Sequence, residues 1–480
     1  MTDALYVDSC RGWSEELRGS FHPQLLVDAA AAAETGALFS DVLASVMRIL
    51  DDYFAVSSDM PGFVIERFLN RTGGTEYRYI PKSKFCIECC LPSDGAGRSV
   101  SPSKYWYDSW SQKTRFRAVV FDPERLVEGC LNLFVGFVDR GRPRLADEFF
   151  EKHVRSVICS DDEGLYQYVV RWMARIVQTP WRKNNVGLAL LGRQGAGKGT
   201  FAHLFGRVLK THYRYCATFD GLLRYNKSTT AYSSLIFCDE VHADMGDKRG
   251  IAVLKSLITE PKIRIEEKYE PSMVLDNYCN IIVATNDPHA ISAEPGERRW
   301  VCLGVSDEFA FTYNQERAAR NREYFKRLHE IPPESICAWL WNVDLTGFVS
   351  EILPWSPEIS RQKMESADPV NRWLFLCLRA GMFPETMSDG RIDGNNPTDD
   401  FNDSRLLSEH IWNCFRGKGA KKDQTHFWGT LSTTFGNEIR FGNLDGKTPF
   451  AVFRGLSAAR ERFASWFTEP SFEHMSRANP

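Results

Sequence analysis

"LLGRQGAGKGTF", residues 190–201, holds four glycines and one lysine between an apolar run and a helix-like segment. The preceding "VGLALL" (186–191) has the length and composition of a buried strand. The following "TFAHLFGRVLK" (200–210) sets Phe201, Leu204, Phe205 and Leu209 on one helical face. Gly192, Gly197 and Lys198 fit G-x-x-x-x-G-K, with Gly195 inside the loop and Gly199 and Thr200 after it. Glycines let consecutive backbone N–H groups curl around phosphate oxygens, and the helix that follows turns its positive end toward the same anion. Lys198 adds a full charge for the β and γ phosphates. Strand, loop and helix in this order predict ATP binding with Mg2+. The hydroxyl that binds Mg2+ usually follows the lysine directly, where this chain has Gly199. Thr200, one step on, must substitute as the metal ligand, or water must fill the gap. "GKGT" is also carried by nucleoside monophosphate kinases, so the loop alone leaves kinase and ATPase both open.

A second motif bears on that choice. "SSLIFCDE" (233–240) is a buried-strand candidate ending in Asp239 and Glu240. An Asp at the carboxyl end of a strand holds the magnesium shell, and a Glu beside it polarises a water for attack on the γ phosphate. A monophosphate kinase has no need of that Glu, and arginine-bearing lid segments are not evident here. In "NYCNIIVATND" (277–287) a β-branched strand ends at Asn286, whose side chain can orient the attacking water. "EPGERRWVCLGV" (294–305) places Arg298 and Arg299 before an apolar run. An arginine at a subunit edge can stabilise a neighbour's transition state; the alternative is a pair of surface salt bridges. Between these motifs, "LKSLITEPKIRIEEKYEPSMVLDN" (254–277) alternates Ile263 and Ile265 with charged residues, turns at Glu270-Pro271 and returns through "SMVL". This predicts a hairpin with Lys268 and Tyr269 near its tip. There they either grip a backbone phosphate and stack on a sugar or base, or form an ordinary solvated charged tip.

In this order the motifs resemble the superfamily 3 helicases, a branch of the AAA+ ATPases, and most closely phage and plasmid primase-helicases with a poxvirus-type helicase core. The resemblance rests on "GRQGAGKGTF", "LIFCDE", "LKSLITEPKIRIEEK", "IIVATN" and "ERRW", and runs more weakly upstream through "NLFVGFV" and "YVVRWMARIVQTP", over roughly residues 110–310. It implies an AAA+ P-loop core, a parallel sheet with helices on both faces, assembled as a homo-hexameric ring with ATP between subunits. Lys198, Thr200, Asp239, Glu240 and Asn286 would act in cis. Arg299 would act on the neighbour's nucleotide, with Arg298 as second choice. The Lys268 hairpin would line the channel and draw single-stranded DNA, with 3′ to 5′ movement usual for such rings.

The bulk properties agree. The chain has 480 residues, 43% hydrophobic and 25% charged, with net charge −3. That balance excludes a broad basic nucleic-acid face but allows a narrow basic channel. No apolar run reaches membrane-span length, no secretory signal is visible in "MTDALYVDSC", and 13 scattered cysteines fit free thiols. The host-cell cytoplasm is the expected location.

We read three parts along the chain: a mixed α/β region over 1–160, the ATPase/helicase core over 161–355, and a winged-helix-like domain over 366–480. Residues 26–50 look helical. "SDDEGLYQYVVRWMARIVQTP" (160–180) predicts a helix with a Ser160/Glu163 capping box and a stop at Pro180. Residues 384–404 are rich in Asp, Asn, Gly and Pro and predict a linker or long loop. Beyond them we expect two helices, a hairpin around "LDGKTP" (444–449) and a final helix; Lys418, Lys421 and Lys422 would meet phosphate or be plain loop lysines. "KFCIECC" (84–90) is either half a zinc site or a buried thiol cluster of Cys86, Cys89 and Cys90. No D-x-D carboxylate set is convincing, so we expect no priming activity from this chain, with a replication primase or polymerase among its candidate partners. The competing functions are a DNA-translocating motor, an ATP-switched origin-binding loader, and a nucleotide kinase.

Overall fold

The computed structural model describes residues 20–31, 39–69, 75–87, 101–124, 127–139, 148–217, 232–239, 248–265, 273–287, 293–383, 401–416, 423–444 and 446–479. They group into two contact-dense units. One lies within Met1–Gly136, Lys227–Tyr232 and Lys262–Asn277, the other within Phe137–Asn226, Ser233–Pro261 and Tyr278–Pro480.

The first unit packs helices Gln24–Ala31 and Phe39–Tyr53 with strands β1 (Phe54–Ser57), β2 (Phe63–Leu69), β3 (Thr75–Pro81) and β4 (Arg115–Phe116), in the order β3-β2-β1-β4. Leu43, Val46, Met47 and Leu50 recur at helical spacing, and the stripe is buried with Phe54, Val64 and Trp106. The predicted helix over 26–50 thus appears as two helices, with residues 32–38 outside the described set. Short strands β5 (Val119–Val120) and β6 (Leu131–Asn132) pair in parallel. The predicted hairpin forms as β10 (Lys262–Ile265) antiparallel to β11 (Met273–Asp276), numbered in chain order. Cys86 is exposed, which removes it from the buried-thiol reading; Cys89 and Cys90 lie outside the described residues.

In the second unit the helix Glu163–Gln178 buries Leu165, Val169, Trp172, Met173 and Ile176. Its cap is Asp162, whose Oδ1 accepts from Leu165 N at 2.9 Å, and not Ser160. Ser160 and Asp161 have φ of 50° and 61°, so the chain is still turning in the left-handed region and enters the helix two residues later. Strands β7 (Gly187–Leu191), β8 (Tyr213–Cys216), β9 (Leu235–Cys238), β12 (Asn280–Thr285) and β13 (Trp300–Gly304) form one wholly parallel sheet in the order β13-β7-β12-β9-β8. Helices lie on both sides, and among the described residues β7, β9 and β12 are buried at every position. Burial on two faces is why these strands read as continuous apolar runs and not as alternation.

A separate core in this unit holds Trp373, Phe401, Phe415, Phe427, Phe435 and Phe453. Its elements run helix Pro369–Ala380, β14 (Asn402–Leu407), helices Ser408–Arg416 and Gln424–Phe435, then the hairpin β15 (Ile439–Leu444) and β16 (Thr448–Arg454), and helices Leu456–Trp466 and Phe472–Ala478. The expected helices and hairpin are present. The predicted linker is corrected at its end: residues 402–404 open β14, an edge strand pairing with β16 alone, where the polar "NDS" start hid it. The rest of that segment, 384–400, and Lys418, Lys421 and Lys422 lie outside the described residues. No helix among the described residues is long and apolar enough to cross a membrane.

Candidate nucleotide-binding site

Parallel strands deliver their carboxyl ends to one edge of the sheet, where open α/β folds bind ligands. Register pairs Thr285 with Leu191 and Val283 with Cys238, so Gly192, Asn286 and Asp239 emerge at that edge together. The Gly192 N–H donates to the Thr285 carbonyl at 3.3 Å. Between the strand ends lies a cavity of about 410 Å³, lined by Gln194–Thr200, Asp239, Thr285, Asn286 and Phe325. Gly195, Gly197, Lys198, Gly199, Thr200, Asp239 and Asn286 therefore share one wall-to-wall space. Gly192 borders an adjoining cavity that also touches Asn286.

The loop geometry depends on Gly197. Its φ of +102° belongs to the left-handed region, and a Cβ there would press on His153 Cε1 at 3.0 Å and Phe325 Cε1 at 3.2 Å. From this cap the helix Lys198–Val208 begins, and its first residues, Lys198, Gly199 and Thr200, whose N–H groups have no partner within the helix, line the cavity. Lys198 is only 7% exposed. Its ammonium donates to the carbonyls of Gly192 (2.6 Å) and Arg193 (2.9 Å) and to Asn286 Oδ1 (2.8 Å). Burial lowers the Lys198 pKa from its ordinary value, while the negative charges of Asp239 and Asp307 act the other way. A phosphate would offer that cation better acceptors than two loop carbonyls. The donor set also suits Mg2+: the Thr200 hydroxyl and the Asp239 carboxylate are hard oxygen ligands, and both residues line this cavity. At Gly199 a Cβ would meet only His203 Cδ2, at 4.0 Å, so nothing in the packing requires glycine there.

Asp239 is fixed by its own N–H, which donates to the Cys216 carbonyl at 2.9 Å. Glu240, Lys268 and Tyr269 lie outside the described residues. Arg298 and Arg299 are not in this cavity. Trp300 pairs with Gly187, so Arg299 sits at the amino end of β13, and the loop leaves β7 at the other end. Five residues of strand, about 3.3 Å each, separate the two edges. The backbone N–H groups of Arg298 and Arg299 both donate to Glu297 Oε1, at 2.9 and 2.7 Å, and the Arg299 guanidinium lies 3.6 Å from the same oxygen. Arg298 is exposed.

Two residues at the site escaped the sequence reading. Phe325 belongs to the charged helix Gln315–His329, and His153 to a π-helical segment His153–Ile158 upstream of the loop. Neither carries a local motif; both reach the loop through tertiary packing alone.

Residues 190–299 match a family of unknown function, DUF5906. Over 166 residues, 33% of this chain, the sequence is 29% identical to a DNA primase-polymerase of Nitratiruptor phage NrS-1. The chain spans 23% of that relative's length. Two solved structures of the NrS-1 C-terminal region resemble it in fold. The apo structure of residues 305–718 has a TM-score of 0.58 at 16% identity, covering 84% of this chain and 96% of that one. An A-form apo structure has a TM-score of 0.56 at 15% identity with the same coverage.

Proposed function

We propose that this chain is an ATP-dependent DNA helicase of superfamily 3, serving replication of a phage or other mobile element as a hexameric ring on single-stranded DNA. The observation that carries the reading is the convergence of Lys198, Asp239 and Asn286, from three parallel strand ends, on one cavity at a helix amino terminus. The sheet order β13-β7-β12-β9-β8 suits an AAA+ core, because it sets the acid-bearing and Asn-bearing strands side by side next to the loop strand. The C-terminal sequence of helix, strand, two helices and a two-stranded hairpin suits a winged-helix domain. Similarity to a phage primase-polymerase supports a place in replication.

In this reading the loop amides and Lys198 bind the β and γ phosphates, and Thr200 and Asp239 would hold Mg2+. The metal, when bound, screens phosphate charge. Glu240 takes a proton from the attacking water and Asn286 orients it. Arg299, which does not line its own chain's cavity, would act on a neighbour's nucleotide. The Lys268–Tyr269 hairpin meets the strand.

The test is strand displacement on a forked duplex with ATP, run beside ATP turnover with and without single-stranded DNA. DNA-stimulated turnover and displacement, both lost in Lys198→Ala, support the helicase. Turnover without displacement would leave the loader reading. Phosphate transfer that requires a nucleoside monophosphate, indifferent to DNA, would make the chain a kinase.

A further inference from the structure

His153 lies behind the phosphate loop with one ring nitrogen unaccounted for. The side chain is fully buried. Its Nδ1 is 3.0 Å from the Tyr324 hydroxyl, and its Nε2 has no hydrogen-bond partner. A Cβ on Gly197 would stand 3.0 Å from Cε1 and 3.5 Å from Nε2. The orphaned nitrogen therefore faces the backbone of the residue that caps the loop helix. A buried polar atom without a partner is costly, so its presence in a folded protein calls for an explanation. The segment that presents it, His153–Ile158, winds as a π-helix, a form frequent at functional sites.

The protonation state follows from the surroundings. Burial pulls the imidazole pKa down to about 4, partly opposed by the Gly197 backbone across a contact that falls outside hydrogen-bond geometry. At neutral pH the ring is uncharged, with one donor and one acceptor nitrogen. The Tyr324 hydroxyl can donate to Nδ1, which leaves the proton on Nε2, directed at Gly197.

The Gly197 carbonyl already accepts the Phe201 N–H at 3.0 Å, the first bond of the helix. Its second lone pair is available. In a trans peptide the carbonyl of Gly197 and the N–H of Lys198 point in opposite directions. Fixing that carbonyl from behind aims the Lys198 N–H forward, into the cavity.

We propose that His153 is a positioning residue for the phosphate loop: as a nucleotide phosphate enters, its Nε2–H donates to the Gly197 carbonyl and holds the loop amides toward the anion. The inference rests on the nucleotide reading of the cavity and adds to it a part that the loop motif does not contain. Tyr324 sets the tautomer, and its neighbour Phe325 lines the cavity, so the helix Gln315–His329 is coupled to nucleotide binding.

The experiment is binding of a fluorescent ATP analogue to the full chain, with thermal melting of the same samples. His153→Phe keeps a flat ring and removes the donor; His153→Gln supplies an amide N–H in its place. His153→Phe should bind roughly tenfold more weakly while its ligand-free melting temperature changes little, because losing the Tyr324 bond to Nδ1 offsets removing the unpaired Nε2. His153→Gln should bind within about twofold of wild type. Equal affinity in His153→Phe and wild type overturns the inference, as does a Gln variant as weak as the Phe variant. If His153→Phe does not fold, Tyr324→Phe decides: mixed tautomers should weaken binding several-fold, and unchanged affinity overturns the proposal. A wild-type chain that binds no ATP overturns the nucleotide reading itself, which separates the two failures.

Discussion

Lys198 Nζ donates to Asn286 Oδ1 at 2.8 Å, joining the first residue of the loop helix to the first residue beyond β12. The bond takes one lone pair of the amide oxygen proposed to orient water, and a bound phosphate would compete with it for the ammonium. Lys198→Ala should lower ATP turnover by on the order of 100-fold or more. Asn286→Ala should lower kcat by a similar order while nucleotide affinity holds or improves, since the cation is released. Loss of affinity with kcat retained would assign Asn286 to binding.

Gly199 has open space where a side chain would stand. Gly199→Thr should therefore fold normally and place a hydroxyl directly after the lysine. The expected result is ATP turnover that saturates at lower Mg2+ concentration, by a few-fold. A variant that melts several degrees lower would show that the glycine serves the loop and not the metal shell.

Arg299 lies at the sheet edge opposite its own phosphate loop. Arg299→Ala should bind nucleotide normally yet hydrolyse it poorly. Mixing this variant with Lys198→Ala creates interfaces that combine an intact loop from one subunit with an intact arginine from the other. Turnover should partly recover on mixing; two inactive proteins that stay inactive together would argue against action in trans.

Asp51 accepts from the indoles of Trp106 (2.7 Å) and Trp110 (2.8 Å) in the first unit. Desolvation raises its pKa from 3.8 to about 6, against the lowering effect of those bonds. An acid whose folded pKa is raised favours the fold most when protonated. Its contribution is fully present below the unfolded value and is lost as pH rises through about 6. Discounted for partial exposure, this is at most about 2 kcal/mol. Asp51→Asn mimics the neutral form, so its melting temperature should gain on wild type between acidic and neutral pH. A difference that stays flat across that range removes the burial argument.

Lys363 and Glu469 form a buried pair, 5% and 0% exposed, with Nζ 3.1 Å from Oε1. Lys363 also donates to the Phe467 carbonyl at 2.8 Å, and Glu469 accepts from Trp355 Nε1 at 2.7 Å. Glu469→Ala strands a buried cation and should destabilise by about 3–5 kcal/mol in chemical denaturation. Replacing both with apolar residues of similar volume should recover most of that loss.

Much of this was legible because local chemistry dictated it. "GLALL", "LIFC" and "NIIVAT" had to be strands buried on both faces, and the glycines between strand and helix had to supply the positive-φ turn found at Gly195 and Gly197. The cap of Glu163–Gln178 was misplaced by two residues, because backbone φ at Ser160 and Asp161, not residue type, decides where a helix starts. β14 was missed because pairing with β16, across some fifty residues, overrides a polar composition.

The sequence by itself determined the strand–loop–helix unit at 186–208, the acidic and Asn-bearing strand ends, and the hairpin of residues 262–276, since each depends on neighbours a few positions away. Only the tertiary structure decided that Lys198 meets Asn286, that Arg299 lies at the sheet edge opposite its own loop, and that Phe325 lines the loop's cavity while His153, bonded to Tyr324, packs against Gly197. Those relationships are set by strand order and helix packing, which bring together side chains far apart in the chain and leave no periodicity or spacing to read.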